Sequence, residues 1–137
     1  MTTWRGIFVA LATPFSRDAE HVDEAALRRL VDHVIANGVG GIVTTGSTGE
    51  CAGMTMDERR TVLEVVLDQT RGRVPVIAHT AAVATREVVA LSRHAQQAGA
   101  GGVMLVGPYY EPINEAEIRA HYATVAASVD LPIIVYN

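Results

Sequence analysis

The chain has 137 residues, 49% of them hydrophobic, which is enough for one modest domain with a buried core and argues against an intrinsically disordered segment. Its net charge of −4 argues against a nucleic-acid surface or an anionic membrane as partner. All 11 basic residues are arginine, so no lysine is present.

In chain order, the first element is a short apolar run, Ile7–Ala12. Asp23 then precedes a segment with apolar residues at Leu27, Leu30, Val31 and Val34, one face of a helix that stops at Asn37-Gly38. A second apolar run spans Gly41–Thr45. Thr55 and Glu58 have the spacing of a capping box and open a helix to about Thr70, ended by Arg71-Gly72. The run Val74–Ala78 follows, then a helix from Thr85 into Gly99, then the run Val103–Val106. Asn114 and Glu117 form a second capping-box pattern, and the helix they open leads to a fifth run, Leu131–Tyr136.

The five runs are too short for helices and too uniformly apolar for half-exposed strands, so they are expected to be parallel strands buried on both faces. A helix lies in every strand-to-strand link, which implies right-handed βαβ crossovers. One phrase repeats: "NGVGGIVTTG" (37–46) and "AGAGGVMLVG" (98–107) share Gly-x-Gly-Gly-apolar-x-x-x-Gly at a helix-to-strand join. Repeated βα units point to an α/β protein. Periodicity is compatible with half of a (β/α)8 barrel and with a complete five-stranded doubly wound sheet.

In either architecture ligands bind beyond the C-terminal ends of the strands. After the second run stands "GSTGE", Gly46 to Glu50, where two glycines bracket two hydroxyls. Such a turn suits a small anion such as a carboxylate; it is equally a tight turn with solvated hydroxyls. It lacks the Gly-Lys-Ser/Thr of a P-loop. His79 and Thr80 follow the third run, and His79 is the one histidine placed to touch a ligand. The others, His21, His33, His94 and His121, lack metal-ligand spacing. "GPYYEP" (107–112) offers two phenols, either proton carriers or packing aromatics. Tyr136 closes the last run, where a buried ring and a partnered hydroxyl are expected, as for a core tyrosine. Glu50 is read as a structural anchor of its turn, Cys51 as a small buried residue, and Arg28-Arg29 and Arg59-Arg60 as solvated helix faces. A lone cysteine allows no internal disulfide, no secretory signal is visible, and no apolar run approaches the ~20 residues of a membrane span. A cytoplasmic protein is the expectation.

Taken together, "GIFVALATPF", "GSTGE", "VPVIAHT", "GPYYEP" and "LPIIVYN" resemble the dihydrodipicolinate synthase / N-acetylneuraminate lyase superfamily in order and spacing over essentially the whole chain. That resemblance implies a TIM barrel, with residues 1–137 as the N-terminal half of a single barrel domain: four βα units and strand five. It also implies a lyase or aldolase that forms or cleaves a C–C bond through a Schiff base with pyruvate or another 2-oxo acid, without metal or cofactor. Ser47 and Thr48 match the hydroxyl pair that holds the carboxylate, and His79 is a candidate substrate contact. Tyr136 matches the proton-relay tyrosine. Tyr110 matches the tyrosine that reaches across a subunit interface to complete a relay with Ser47 and Tyr136. A homo-oligomer, dimer or tetramer, is implied.

His79, "GSTGE" and the gapless Tyr110-Glu111-Pro112 spacing lean toward the neuraminate lyase and sugar-acid aldolase side, although Ala81 stands where glycine is usual in both groups. The Schiff-base lysine of the family is absent from this chain, and arginine cannot replace it. The chain alone is therefore expected to be inactive. The alternative is a truncated, non-catalytic binding or assembly module.

Overall fold

The computed structural model describes residues 4–137. Its strands are β1 (Phe8–Ala10), β2 (Gly41–Thr44), β3 (Val76–His79), β4 (Gly102–Val106) and β5 (Ile133–Tyr136). Between them lie α1 (Glu24–Ala36), α2 (Met56–Thr70), α3 (Thr85–Ala98) and α4 (Glu115–Ala126), with one 3-10 turn, Cys51–Gly53, before α2.

Helix boundaries follow local chemistry. The Asp23 carboxylate accepts the Ala26 N–H at 2.9 Å. In α2 and α4 both halves of the capping box form: Thr55 with Glu58, and Asn114 with Glu117. Arg71, at φ +50°, ends α2, and Gly99, at φ +91°, ends α3. The third helix starts at Thr85, as expected, but without a side-chain cap. Ala84 holds the cap position without a side-chain bond, and the Thr85 hydroxyl instead meets His121 Nδ1 at 2.9 Å.

The strands form one parallel sheet in the order β1-β2-β3-β4-β5. A doubly wound sheet reverses its strand order at a switch point; this sheet runs sequentially, as one arc of a barrel does. Register pairs Val9 with Ile42, Ile42 with Val76, Ile77 with Gly102, and Met104 with Ile134. Alternation then sends Ile42, Val76, Val103 and Leu105 to one face, into a core shared with Leu27 and Val31 of α1, Val62 and Val66 of α2, Val88 and Ala95 of α3 and Val125 of α4.

The opposite face carries Phe8, Val43, Ile77, His79, Met104, Val106, Ile134 and Tyr136. At the N-terminal ends of the strands it is floored by two rings. Phe8 lies over Gly41 and Trp4 over Gly102, where an added Cβ would stand 2.1 and 2.7 Å from the ring atoms. This accounts for the second glycine of each Gly-Gly pair in the repeated phrase. Gly40 is tighter still, its Cβ position only 2.0 Å from the Arg5 carbonyl oxygen. Backbone cannot swing aside as a side chain can. Gly40→Ala is therefore expected to destabilise the chain by at least about 1–3 kcal/mol, read as a lower denaturation midpoint in urea.

Burial on both faces holds for β2 and for most of β3 and β4, not for β1 or β5. Among the described residues the outer two pair on one side only, and Val135 of β5 is 60% exposed. Among the described residues no helix is long and apolar enough to cross a membrane.

Candidate active site

The C-terminal ends of the strands gather the residues singled out from the sequence. The 46–50 turn is tied to the end of β1: Thr13 Oγ1 donates to the Gly49 carbonyl at 2.8 Å. A Cβ on Gly49 would meet Leu11 O at 3.0 Å and Thr45 Cα at 3.2 Å, so this glycine serves close approach. The left-handed conformations at this turn are taken by Thr45 (φ +52°) and Glu50 (φ +60°) rather than by its glycines. Glu50 anchors the turn through its backbone, its N–H donating to Ser47 O at 3.0 Å. Its exposed carboxylate has no hydrogen-bond partner among the described residues, so the side-chain anchor expected there is replaced by Thr13.

Ser47 and Thr48 are exposed at the crest of the turn. Among the described residues neither their N–H groups nor their hydroxyls have a protein partner. Two successive residues thus leave four donors without a protein partner among the described residues. An anion with two oxygens matches that supply.

His79 ends β3 on the face opposite the helices, in register with Met104. Its Nδ1 lies 2.8 Å from Thr45 O, and its own carbonyl accepts Thr45 Oγ1 at 3.1 Å. Burial, reinforced by the nearby Arg59 charge, holds its pKa below the ordinary histidine value, against a smaller raising effect from Thr45. Arg59 is the residue that sequence reasoning misplaced. Rather than facing solvent it is 6% exposed, and it reaches from α2 to the carbonyls of Ala81 (3.0 Å) and His79 (2.9 Å). The signal was present: Arg59 falls on the same stripe as Val62, Leu63 and Val66, whereas Arg60 lies off it and pairs with Asp57 at 2.7 Å.

The tyrosines are open to solvent. Tyr110 is 75% exposed and Tyr136 is 58% exposed. The buried ring expected at Tyr136 is not found, because β5 is an outer strand. Its register partner is Val106, so it stands beside the root of the 107–112 loop that carries Tyr109 and Tyr110. Ser47, Tyr110 and Tyr136 share one end of the sheet, but no hydrogen bond joins them among the described residues. Cys51 is half-buried and unpaired by disulfide.

Comparison with known proteins agrees with this architecture. Residues 3–137 match the model of the dihydrodipicolinate synthetase family. The 4-hydroxy-tetrahydrodipicolinate synthase of Salinibacter ruber is 48% identical over 134 residues, which are 98% of this chain and 44% of that protein. The crystal structure of dihydrodipicolinate synthase from Aquifex aeolicus superposes with a TM-score of 0.93 at 41% identity, covering 96% of this chain and 44% of that one. YagE, an E. coli K12 prophage protein of the dihydrodipicolinic acid synthase family solved in complex with pyruvate, gives a TM-score of 0.95 at 36% identity, covering 99% and 45%. The chain thus spans less than half the length of these relatives.

Proposed function

The chain belongs to the dihydrodipicolinate synthetase family, and from that premise we propose that it supplies the N-terminal half of a TIM-barrel lyase acting on pyruvate or another 2-oxo acid. The observation that carries the proposal is the Ser47–Thr48 turn, whose N–H and hydroxyl groups stand unpartnered on the same end of the sheet as His79 and Tyr136. A carboxylate bound there would receive several hydrogen bonds at once, and charge-assisted bonds of this kind are roughly twice as strong as neutral ones.

In this chemistry a lysine amine condenses with the keto carbon and releases water. The resulting imine draws electrons from the neighbouring carbon, so a C–H or C–C bond there can break or form. Tyr136 is the residue proposed to carry protons to and from the reacting atoms, with Ser47 and Tyr110 as its relay partners. The exposed Tyr109 and Tyr110 suit a second subunit closing over the site, as in a homodimer or tetramer. The lysine must come from outside these 137 residues. The synthase name of the Salinibacter relative counts against the leaning toward neuraminate lyases drawn from His79 and the Tyr110-Glu111-Pro112 spacing.

Borohydride reduction in the presence of pyruvate tests the proposal. A polypeptide that continues into the lysine-bearing strand should gain a covalent adduct by mass spectrometry, and this chain alone should gain none on a side chain. Absence of an adduct on the longer polypeptide would sink the Schiff-base chemistry. It would favour the assembly-module alternative.

A further inference from the structure

Resting on the proposed 2-oxo-acid site, we infer that Arg59 is a positioning residue: it clamps the end of β3 so that His79 presents an unprotonated Nε2 to a ligand on the open face of the sheet.

The geometry begins in α2. Arg59 Nη1 donates to Ala81 O and Nη2 to His79 O, so one planar fork spans residues 79–81. Lysine, whose donors all sit on one compact ammonium, would not reproduce the fixed spacing of this fork. The two charge-assisted bonds offset the burial of a guanidinium whose Nε is left without a partner. The same segment is held from its other sides. Thr45 Oγ1 donates to His79 O, Thr80 N donates to Met104 O at 3.0 Å, and Thr80 Oγ1 meets Ser92 Oγ at 2.9 Å. His79 therefore has little freedom to move its backbone.

Its ring is assigned by elimination. The partner of Nδ1 is the Thr45 carbonyl, which can only accept, so Nδ1 carries the hydrogen. In the neutral ring Nε2 then holds the lone pair, and no group among the described residues bonds it. A second proton is disfavoured by burial and by the Arg59 charge, both acting in the same direction. Cys51 ahead of α2, Tyr109 in the 107–112 loop and Glu87 of α3 are the titratable groups whose charge bears on Arg59, and Arg59 is the one that bears on His79. A ligand atom meeting Nε2 must therefore donate, as a hydroxyl or N–H does. A second carboxylate is disfavoured at that position, which leaves the Ser47–Thr48 turn as the carboxylate end of the site.

Nitrogen-detected NMR on the histidine-labelled chain tests this. At neutral pH the His79 signals should report the Nδ1–H tautomer. Arg59→Met removes a like charge, so the His79 titration midpoint should move up and the second tautomer should appear. The signals of His21, His33, His94 and His121 should stay in place, which a general loosening of the fold would not produce. Arg59→Lys should keep the midpoint low while losing the single tautomer. An Nε2–H ring in the wild type, or a His79 signal indifferent to Arg59→Met, would overturn the inference. If Arg59→Met does not fold, the wild-type tautomer still decides. A parallel titration with pyruvate should shift the Ser47 and Thr48 amides. Amides silent to pyruvate would remove the ligand reading, and the role of Nε2 with it, whatever the tautomer. A wrong tautomer with responsive amides would leave the 2-oxo-acid site standing and remove Arg59 alone.

Discussion

Leu105→Ala is expected to lower the stability of the chain by about 2–5 kcal/mol, the range for emptying a buried leucine site that cannot fully collapse. Leu105 is fully buried on the helix side of β4, within the cluster that also holds Val103, Val88 and Val125. Its neighbours are themselves held by sheet register on one side and helix packing on the other, so little can move in to fill the space. Domains of this size are stable by about 5–15 kcal/mol, and such a loss would leave a substantial unfolded fraction. Val135→Ala, on the outer strand, removes atoms that already face water and should change stability by less than about 0.5 kcal/mol. Guanidinium unfolding of the two variants checks the contrast. A loss under 1 kcal/mol at Leu105 would mean that the core is looser than its burial indicates.

Tyr136→Phe should reduce turnover by about 10²- to 10⁴-fold in an enzyme completed by the lysine-bearing strand, the usual range for removing a positioned proton carrier. The ring would remain beside Val106, and the Ser47–Thr48 turn would be untouched, so KM for the 2-oxo acid should change little. Borohydride should still trap the adduct, since the hydroxyl is not the nucleophile. The split between kcat and KM is the diagnostic. Wild-type turnover in the Phe variant would remove Tyr136 from the relay. A rise in KM alone would make it a binding contact.

Much of this molecule is legible from local rules because those rules act over a few residues. Thr55 with Glu58, and Asn114 with Glu117, close capping boxes using groups three positions apart, so their partners could be named before any tertiary contact was known. Arg71-Gly72 and Gly99 stop helices for the same local reason. The strand cores were visible as apolar runs, since a strand buried between helices and a second layer tolerates few polar side chains. The motifs at the strand ends located the candidate site because a parallel βα architecture exposes those ends in common.

Arg59 shows where local rules stop. In sequence it sits beside Arg60 and reads as one of two surface charges. Helix periodicity puts it on the buried stripe, and the deciding fact is that the carbonyls of His79, at the end of β3, and of Ala81, just beyond it, lie within its reach. Those carbonyls come from residues 20 and 22 positions away, so no pattern within α2 announces them. Tyr136 fails in the opposite direction. An apolar strand end suggests burial, but exposure depends on whether another strand lies alongside, and β5 pairs only with β4 among the described residues. Thr13, which ties the 46–50 turn, makes its bond across 36 residues.

By itself, the sequence determined the order of elements, their caps, the position of the motifs at the strand ends and the absence of a lysine, because each depends on residue identity or on neighbours within one helical turn. The tertiary structure alone decided the rings that floor the open face, the buried arginine behind His79 and the exposure of the two outer strands. Those depend on which distant backbone atoms meet, and a hydrogen bond or a clash between distant segments leaves no periodic trace in the chain.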